Sequence, residues 1–402
     1  MSPSSGSNAV AGLTGPATPP TAGAVFALVR DGIAQTRREI GRRTGLSRTA
    51  VTARVSALLS SGLVVEVAEG PSTGGRPPAR LTLHAGGGVV LAAAIGRSRT
   101  QLAVCDLAGE VLCTGTFDQE VGTGPEGLMP RVARELGSLL AGVGRTADEV
   151  RGIGLSIPGT VDREGGCSLD SPVMPGWDGV ELAPYLTPHF DAPVLVDNDA
   201  NVMALSERRG HLERFADVLM VKASTGLGAG IVSGGALQRG ALGAAGEIGH
   251  TKVADAAGAA CRCGDRGCVE AVAGGWALVQ ELRAQGREVA HVRDVVALAL
   301  EGDSVARGLI RESGRRLGEV LAGVVNVLNP SAVVVGGDMA LAYDMLAAGL
   351  REAVYGNATA LSTRQLQIVP ATHGDQAGVV GCAALVLEHV LSARAVDEAL
   401  GR

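Results

Sequence analysis

The sequence predicts an α/β protein made of an N-terminal winged helix-turn-helix and a two-lobed α/β body with a cleft and a metal-stiffened knuckle. Three observations predict it. Three short helical patterns followed by two strand patterns fill residues 22–84. Beyond them, apolar strands alternate with helical stretches, and glycine-bearing strand-turn-strand units open each of two halves. In the second half one imidazole and three thiols, His250, Cys261, Cys263 and Cys268, gather in a single Gly- and Ala-rich stretch.

Composition sets the limits within which those elements must pack. With 402 residues, 46% of them hydrophobic, the chain has room for two or three domains and a sizeable core. Aromatic residues make up 2%, so the core must be built of Ala, Val, Leu and Ile. Lys222 and Lys252 are the only lysines, which leaves the positive charge to arginine. No run of 18 or more apolar residues occurs, and the N-terminus has neither a basic n-region nor an apolar h-region. A soluble, cytoplasmic protein with no membrane partner is expected.

Residues 1–21 are rich in Ser, Gly, Ala, Thr and Pro, have little to bury, and are expected to form a disordered tail. Val25, Phe26, Leu28 and Val29 then predict a short helix ending near Gly32. Thr36 with Glu39 is a T-x-x-E capping box, which opens a second helix over about 37–44. Gly45 and Leu46 make a tight turn. Ser47 caps a third helix, SRTAVTARVSALLSSG, in which Val51, Val55, Leu58 and Leu59 share one face at helical spacing. After Gly62, LVVEVAEGPSTGGRPPARLTL predicts two strands joined by a Pro/Gly-rich tip.

A helix-turn-helix of this kind lays its last helix in the DNA major groove. The outer face of the third helix offers Thr49, Thr52, Ala53 and Ser56, with Arg48 and Arg54 at its edges. Arg37, Arg48, Thr49, Thr52 and Arg54 are therefore candidate contacts to operator DNA, and Arg76 in GGRPP suits entry into a minor groove. Between Arg30 and Arg80, nine arginines against four acids give +5, leaving −11 elsewhere to reach the net −6. That asymmetry locates a phosphate-binding surface. A helical protein-interaction domain with a solvated basic face is the bland alternative, and the ordered run of helix, Gly turn, capped helix and GGRP tip favours DNA.

In the body, strands with turns at Gly96 and at Ala108-Gly109 are followed by strands over 151–157 and 192–197. DVLMVKASTGLGAGIV is a strand, a Gly-rich turn and a strand, and NPSAVVVGGDM runs from a strand into a Gly-Gly turn. Lobes are expected over 85–200 and 201–379, with a C-terminal helix over about 380–402 returning to the first. The knuckle spans 247–270. The cysteines number seven, and Cys105, Cys113, Cys167 and Cys382 are scattered through apolar segments, a pattern of buried thiols in a reducing compartment. His250, Cys261, Cys263 and Cys268 complete four soft ligands, so a structural Zn2+ without activated water is expected. Glu247 and Glu270 flank them, and a stiff loop presenting two acids suits the hydroxyls of a sugar.

At these motifs the chain resembles the ROK family of sugar kinases and sugar-responsive repressors, built on the actin/hexokinase-like fold. CRCGDRGCVE (261–270) matches the family's C-x-C-G-x-x-G-C-x-E, EIGH (247–250) matches E-x-G-H, and DNDAN (197–201) is a third match. SIPGTVD, PGWDG, STGLGAG and NPSAVVVGG support it in order. The resemblance implies a sugar held by Asn198, Asp199, Glu247, His250 and Glu270, with Trp177 lining the pocket and Asp199 in the place of the kinase base. It also implies that His250 bonds zinc through one ring nitrogen and faces the sugar with the other. An Asx turn or helix cap is the structural alternative for Asp199.

One departure separates the two halves of the family. Kinase members carry a D-x-G-G-T phosphate loop, whereas this chain has Ala94-Ile95-Gly96-Arg97-Ser98-Arg99. The acid has become Ala94, and Arg97 and Arg99 bring bulk where small residues let backbone N–H groups approach phosphates. No catalytic residue and no kinase activity are expected. The reading is a cytoplasmic, nucleoid-associated transcriptional regulator, a repressor of carbohydrate genes, acting as a homodimer or homotetramer under a sugar or sugar-derivative effector. An ATP-dependent sugar kinase with Asp199 as base, and a regulator answering to a protein partner over a vestigial pocket, are the alternatives.

Overall fold

The computed structural model describes residues 19–68, 79–120, 122–169 and 174–401. Residues 1–18 of the expected tail, and the wing tip with Arg76, lie outside them. The chain divides into two units: one joins the described residues up to His84 with those from Leu391 onward, and the other runs from Ala85 to Val390.

In the first unit local signals place each helix. Thr21 caps α1 (Ala22–Arg30) by accepting from the Ala24 amide at 3.1 Å. Thr36 and Glu39 form a reciprocal capping box at the start of α2 (Arg37–Thr44), and Gly45 ends that helix at φ 71°. Ser47 caps α3 (Arg48–Ser60), accepting from the Ala50 amide at 3.2 Å. The buried faces meet in a small core of Val25, Phe26, Ile40, Val51, Val55, Leu58 and Leu81, none more than 2% exposed. The wing strands β1 (Val64–Ala68) and β2 (Ala79–Leu83) pair antiparallel, and the Leu81 amide donates to the Gln35 carbonyl at 2.7 Å, fastening the wing to the loop before α2.

Two five-stranded sheets organise the second unit. The first contains β3 (Val89–Ile95), β4 (Arg99–Asp106), β5 (Val111–Asp118), β6 (Val150–Ile157) and β9 (Val194–Asn198), in the order β5-β4-β3-β6-β9. Helix α4 (Pro125–Gly142) follows β5; a small hairpin, β7 (Thr160–Asp162) and β8 (Cys167–Leu169), follows β6. Helix α5 (Asp199–Ser206) leads on to the second sheet: β10 (Val218–Ala223), β11 (Leu227–Ser233), β12 (Ala236–Gln238), β13 (Ala332–Gly336) and β14 (Gln367–Pro370), in the order β12-β11-β10-β13-β14. In both sheets the first three strands run as an antiparallel meander and the last two lie parallel to the first. The identical order is the duplication expected from the two glycine-bearing halves.

Between β12 and β13 come the knuckle and α6 (Glu270–Ala273), α7 (Gly275–Ala284), α8 (Val292–Glu301) and α9 (Ser304–Leu328); α10 (Tyr343–Asn357) and α11 (Ala360–Thr363) precede β14. Helix α12 (Ala377–Val390) lies on β3 and β6 and against α5. The chain then breaks before α13 (Ala393–Leu400), which packs on α1 in the first unit. This differs from the expectation of one helix over about 380–402 returning to the first lobe. Ser392 caps α13 afresh, accepting from the Ala395 amide at 3.1 Å, and Asp397 accepts from the Gly23 amide at 2.7 Å. Val396, 1% exposed, gives α13 its buried anchor. No single described helix is long and apolar enough to cross a membrane.

Candidate functional site

The two sheets of the second unit converge on a cleft of about 230 Å³. Its walls come from the C-terminal ends of parallel strands, β3 at Ala94 and Ile95, β6 at Ser156 and β9 at Asn198, together with the ends of β10 and β13 at Ser224 and Gly337. Ligand crevices in α/β sheets form at such ends because the loops leaving them diverge and leave backbone groups free.

DNDAN turns β9 into α5, and each polar residue there has a distinct task. Asn198 is the N-cap: its side-chain oxygen accepts from the Ala200 and Asn201 amides at 2.8 and 3.2 Å, while its amide donates to the Gly159 carbonyl at 2.8 Å. The cap is thus Asn198, and Asp199 is left as the first helical residue, facing the cleft with Lys222 of β10 as its ion-pair partner. Asp197 is buried and accepts from Arg239 at 2.7 Å and from the Asn201 amide group at 3.0 Å, which holds the turn from beneath.

Glu247, His250 and Glu270 reach the same cleft from the opposite lobe. Burial pushes the Glu247 carboxyl above its ordinary value, with Asp199 and Glu270 adding to the rise and His250 opposing it. Glu270, 5% exposed, accepts from the Leu227 amide at 2.9 Å and from the Trp276 indole at 3.1 Å.

His250, Cys261, Cys263 and Cys268 come together with their ligand atoms all within 4.8 Å of one another. Cys261 Sγ lies 3.7 Å from His250 Nδ1, and Cys263 Sγ lies 3.7 Å from Cys268 Sγ. Tetrahedral zinc with its usual bond lengths needs ligand atoms about 3.6–3.8 Å apart, so the donor set fits in both chemistry and spacing. Nδ1 faces the thiols, and Nε2 points to Glu247 Oε2 at 3.8 Å. The fold thereby joins the knuckle to the cleft through one ring.

Trp177 is a correction. Expected at the sugar, it lies instead in the core of the first lobe, 1% exposed, its indole donating to the Thr123 carbonyl at 2.9 Å, and it is absent from the cleft wall. The PGWDG turn supplies a large apolar ring to a core whose other members are Val, Leu, Ile, Met and Ala with Phe190.

Sequence reasoning missed three features of the cleft. Lys222 partners Asp199; Asp338, after β13, takes Arg99 at 3.1 Å and accepts from the Ser224 hydroxyl; and Arg262, between two of the thiols, lies on the Trp276 ring at 4.7 Å. The signal for Lys222 was its rarity, since the chain has two lysines. Nothing local announces the other two. Burial lowers the pKa of Arg97, opposed by Glu270, and pushes that of Arg262 down to about 10.

On the other unit, Arg48, Thr49 and Thr52 are exposed on the outer face of α3. Arg37 and Arg54 have intramolecular partners: Arg37 pairs with Glu66 of β1, and Arg54 donates to the Pro20 and Ala50 carbonyls at 2.6 and 3.2 Å.

A duplicated α/β body around an interlobe cleft, carried on a chain with a winged helix-turn-helix, defines a class of two-domain proteins, and comparison with known proteins gives the family. The ROK family model matches residues 90–389, and a winged helix-turn-helix DNA-binding model matches residues 24–65. The chain belongs to the ROK family. The xylose repressor of Caldicellulosiruptor bescii is 29% identical over 370 residues, covering 89% of this chain and 92% of that one. The crystal structure of a ROK family transcriptional regulator, a homologue of the Escherichia coli MLC protein, is 26% identical with a TM-score of 0.77, covering 94% of this chain and 98% of its own. A ROK family glucokinase from Streptomyces griseus, solved with glucose and AMPPNP, is 30% identical with a TM-score of 0.64, covering 74% of this chain and 99% of that one. The two regulators thus align over a larger share of this chain than the glucokinase does.

Proposed function

We propose that this protein is a transcriptional repressor of carbohydrate genes whose hold on operator DNA is set by a sugar or sugar derivative in the interlobe cleft. The observation that carries the reading is the near full-length match to regulators that share both the winged helix-turn-helix and the ROK body. Arg48, Thr49 and Thr52 meet the major groove, with Arg37, Arg54 and Arg76 toward the backbone and minor groove. Arg37 and Arg54 must exchange their present partners to do so.

In the cleft Asn198, Asp199, Glu247, His250 and Glu270 hold the sugar hydroxyls. Asp199 and Glu247 accept hydrogen bonds from them, and Asn198 fixes the turn that presents Asp199. Zinc held by His250, Cys261, Cys263 and Cys268 keeps the knuckle rigid, so that Glu270 and the His250 ring have fixed positions. A ligand that empties an occupied operator must favour the non-binding state by about 5 kcal/mol. The two-fold operators usual for helix-turn-helix proteins imply a homodimer or homotetramer in the cytoplasm.

Kinase activity is not part of the reading. Ala94 removes the acid that helps manage the nucleotide's metal, and Arg97 and Arg99 fill the phosphate loop. Glucokinase relatives and the presence of Asp199 keep the enzyme as the second reading. Selection of genomic fragments on the purified, zinc-loaded protein, followed by operator titrations with a panel of monosaccharides, amino sugars and sugar phosphates, tests both. A selected two-fold site whose affinity one sugar changes supports the repressor. ADP formed from Mg-ATP and a sugar, with no sugar effect on DNA, would replace it with the kinase.

A further inference from the structure

The chain uses arginine for nearly all of its positive charge, and one of its two lysines stands inside the metal knuckle. Lys252 follows the ligand His250 by two positions and faces Cys268 in an isolated antiparallel bridge. The backbone fixes that register: the Val269 amide donates to the Thr251 carbonyl and the Val253 amide to the Gly267 carbonyl, both at 2.9 Å. The aliphatic stem of Lys252 passes over Gly267, where a Cβ would stand 3.8 Å from Cδ. Its ammonium donates to Cys268 Sγ at 3.2 Å, to the Arg266 carbonyl at 2.7 Å and to the Asp265 carboxylate. Among the described residues no other side chain outside the ligand set donates to a sulfur of the knuckle.

Three acceptors of three kinds thus converge on the three protons of one ammonium. Lysine suits that arrangement because its donors radiate from a single compact charge, whereas an arginine fork aims its N–H groups in one plane. The charge suits it as well. Three thiolates and a neutral imidazole around a dication leave the centre with one net negative charge. The other cations of the knuckle are turned elsewhere: Arg262 lies on the Trp276 ring, and Arg266 donates to the Gly258 carbonyl at 3.1 Å. Asp255, the remaining acid of that loop, faces Arg315 of α9 at 3.5 Å.

We propose that Lys252 is a positioning residue of the metal centre, whose ammonium compensates the charge of the three thiolates through Cys268 and so sets how tightly the knuckle keeps its metal. This rests on the knuckle holding zinc. A charge-assisted hydrogen bond stabilises negative charge on the sulfur that the centre would otherwise carry unaided. Removing a partner of a ligand atom lowers metal affinity about 10- to 100-fold. With half of the Lys252 side chain exposed to solvent, the lower end is expected. Because the His250 ring joins this centre to Glu247, retention of the metal decides whether that wall of the cleft keeps its shape.

Transfer of zinc from the full, loaded chain to a chromogenic chelator tests this in Lys252→Met, Lys252→Arg and Asp265→Asn, alongside spectra of the same chains loaded with cobalt(II). Methionine keeps the stem over Gly267 and removes the charge. Zinc affinity should fall about tenfold in Lys252→Met, and Lys252→Arg should recover part of the loss. Asp265→Asn releases the ammonium from an exposed ion pair but leaves Cys268 in its reach, so affinity should stay within about threefold. In the cobalt chains the sulfur-to-metal charge-transfer absorption of Lys252→Met should move to longer wavelength, since a thiolate without the ammonium gives up an electron more readily. The d–d bands, which report ligand number and geometry, should keep their energies. Thermal unfolding establishes that each loaded variant is folded, and Lys252→Gln carries the same expectations should Lys252→Met fail to fold.

Zinc affinity and a charge-transfer band unchanged in Lys252→Met would overturn the proposal. So would d–d bands that shift along with the loss of affinity, or an Asp265→Asn chain that loses zinc as readily as Lys252→Met, because either result assigns Lys252 to bracing the turn over 265–267. If the wild-type chain takes up neither zinc nor cobalt, the zinc reading itself fails and this inference with it. If both metals bind and the Lys252 variants match the wild type, this inference alone fails.

Discussion

Replacing Gly381 by alanine should damage the sugar cleft from behind. Gly381 sits in α12 where that helix crosses α5, and a Cβ built there would lie 1.7 Å from the Val202 carbonyl oxygen and 2.4 Å from its carbon. These are backbone atoms, so no rotamer change can relieve the clash. Helix α12 must move by about 1.5 Å, and overpacking of a tight core costs about 1–3 kcal/mol or more. The upper end, about 3 kcal/mol, is expected here because α12 cannot retreat freely. On its other side a Cβ at Gly154 of β6 would stand 2.2 Å from the Cys382 carbonyl oxygen, so the helix is wedged between the sheet and α5. Because α5 begins at Asp199, the strain reaches the cleft, and sugar affinity should fall about tenfold. Gly137→Ala in α4 is the reference: nothing lies within 4 Å of its Cβ, and a helical Gly→Ala change there should stabilise by about 0.5–1 kcal/mol. Urea unfolding and sugar calorimetry on both variants read the two effects. If Gly381→Ala unfolds at the wild-type urea concentration, the argument from helix approach is wrong.

Three further outcomes are expected. Chelation should free the knuckle and expose Cys261, Cys263 and Cys268 to a thiol reagent at pH 8, whereas Cys105 and Cys382, both 0% exposed on elements that chelation leaves packed, should stay silent until the chain is denatured; rapid labelling of either buried thiol in the native protein would contradict their packing. Deleting residues 391–402 removes Val396 and the acceptor for the Gly23 amide, and should lower both the unfolding midpoint of the DNA-binding unit and its operator affinity while leaving sugar titrations unchanged. Thr36→Ala should cost the same unit about 1 kcal/mol at pH 7. Its capping partner Glu39 is held below the ordinary value of 4.5 by the backbone amides of Gln35 and Thr36 and the Thr36 hydroxyl. A depressed carboxylate stabilises the fold above its unfolded pKa, so that contribution is lost as pH falls from about 4.5 through the folded value, and pH-dependent urea melts should show it.

Sequence alone determined whatever is encoded over short separations. The capping box at Thr36 and Glu39, the glycine turn at Gly45, the Ser47 cap and the paired wing strands are all interactions between near neighbours, and they form as the residue types require. The metal group was legible for the same reason, since its four ligands lie within one local stretch of chain. The duplication was visible in two glycine-bearing halves, although the common strand order emerged only from the sheets. Tertiary structure decided the rest. Trp177 could have faced a ligand or a core, and the packing of the first lobe around its ring placed it in the core. The pairs Asp199 with Lys222, Arg99 with Asp338, and Gly23 with Asp397, the last 374 residues apart, have no local signature. Such contacts depend on how distant segments meet, the two sheets and their helices around the cleft and α13 with α1 in the first unit. A sequence records each side chain's charge, but which charges find partners across a cleft, as Arg99 finds Asp338, is known only once both walls are in place.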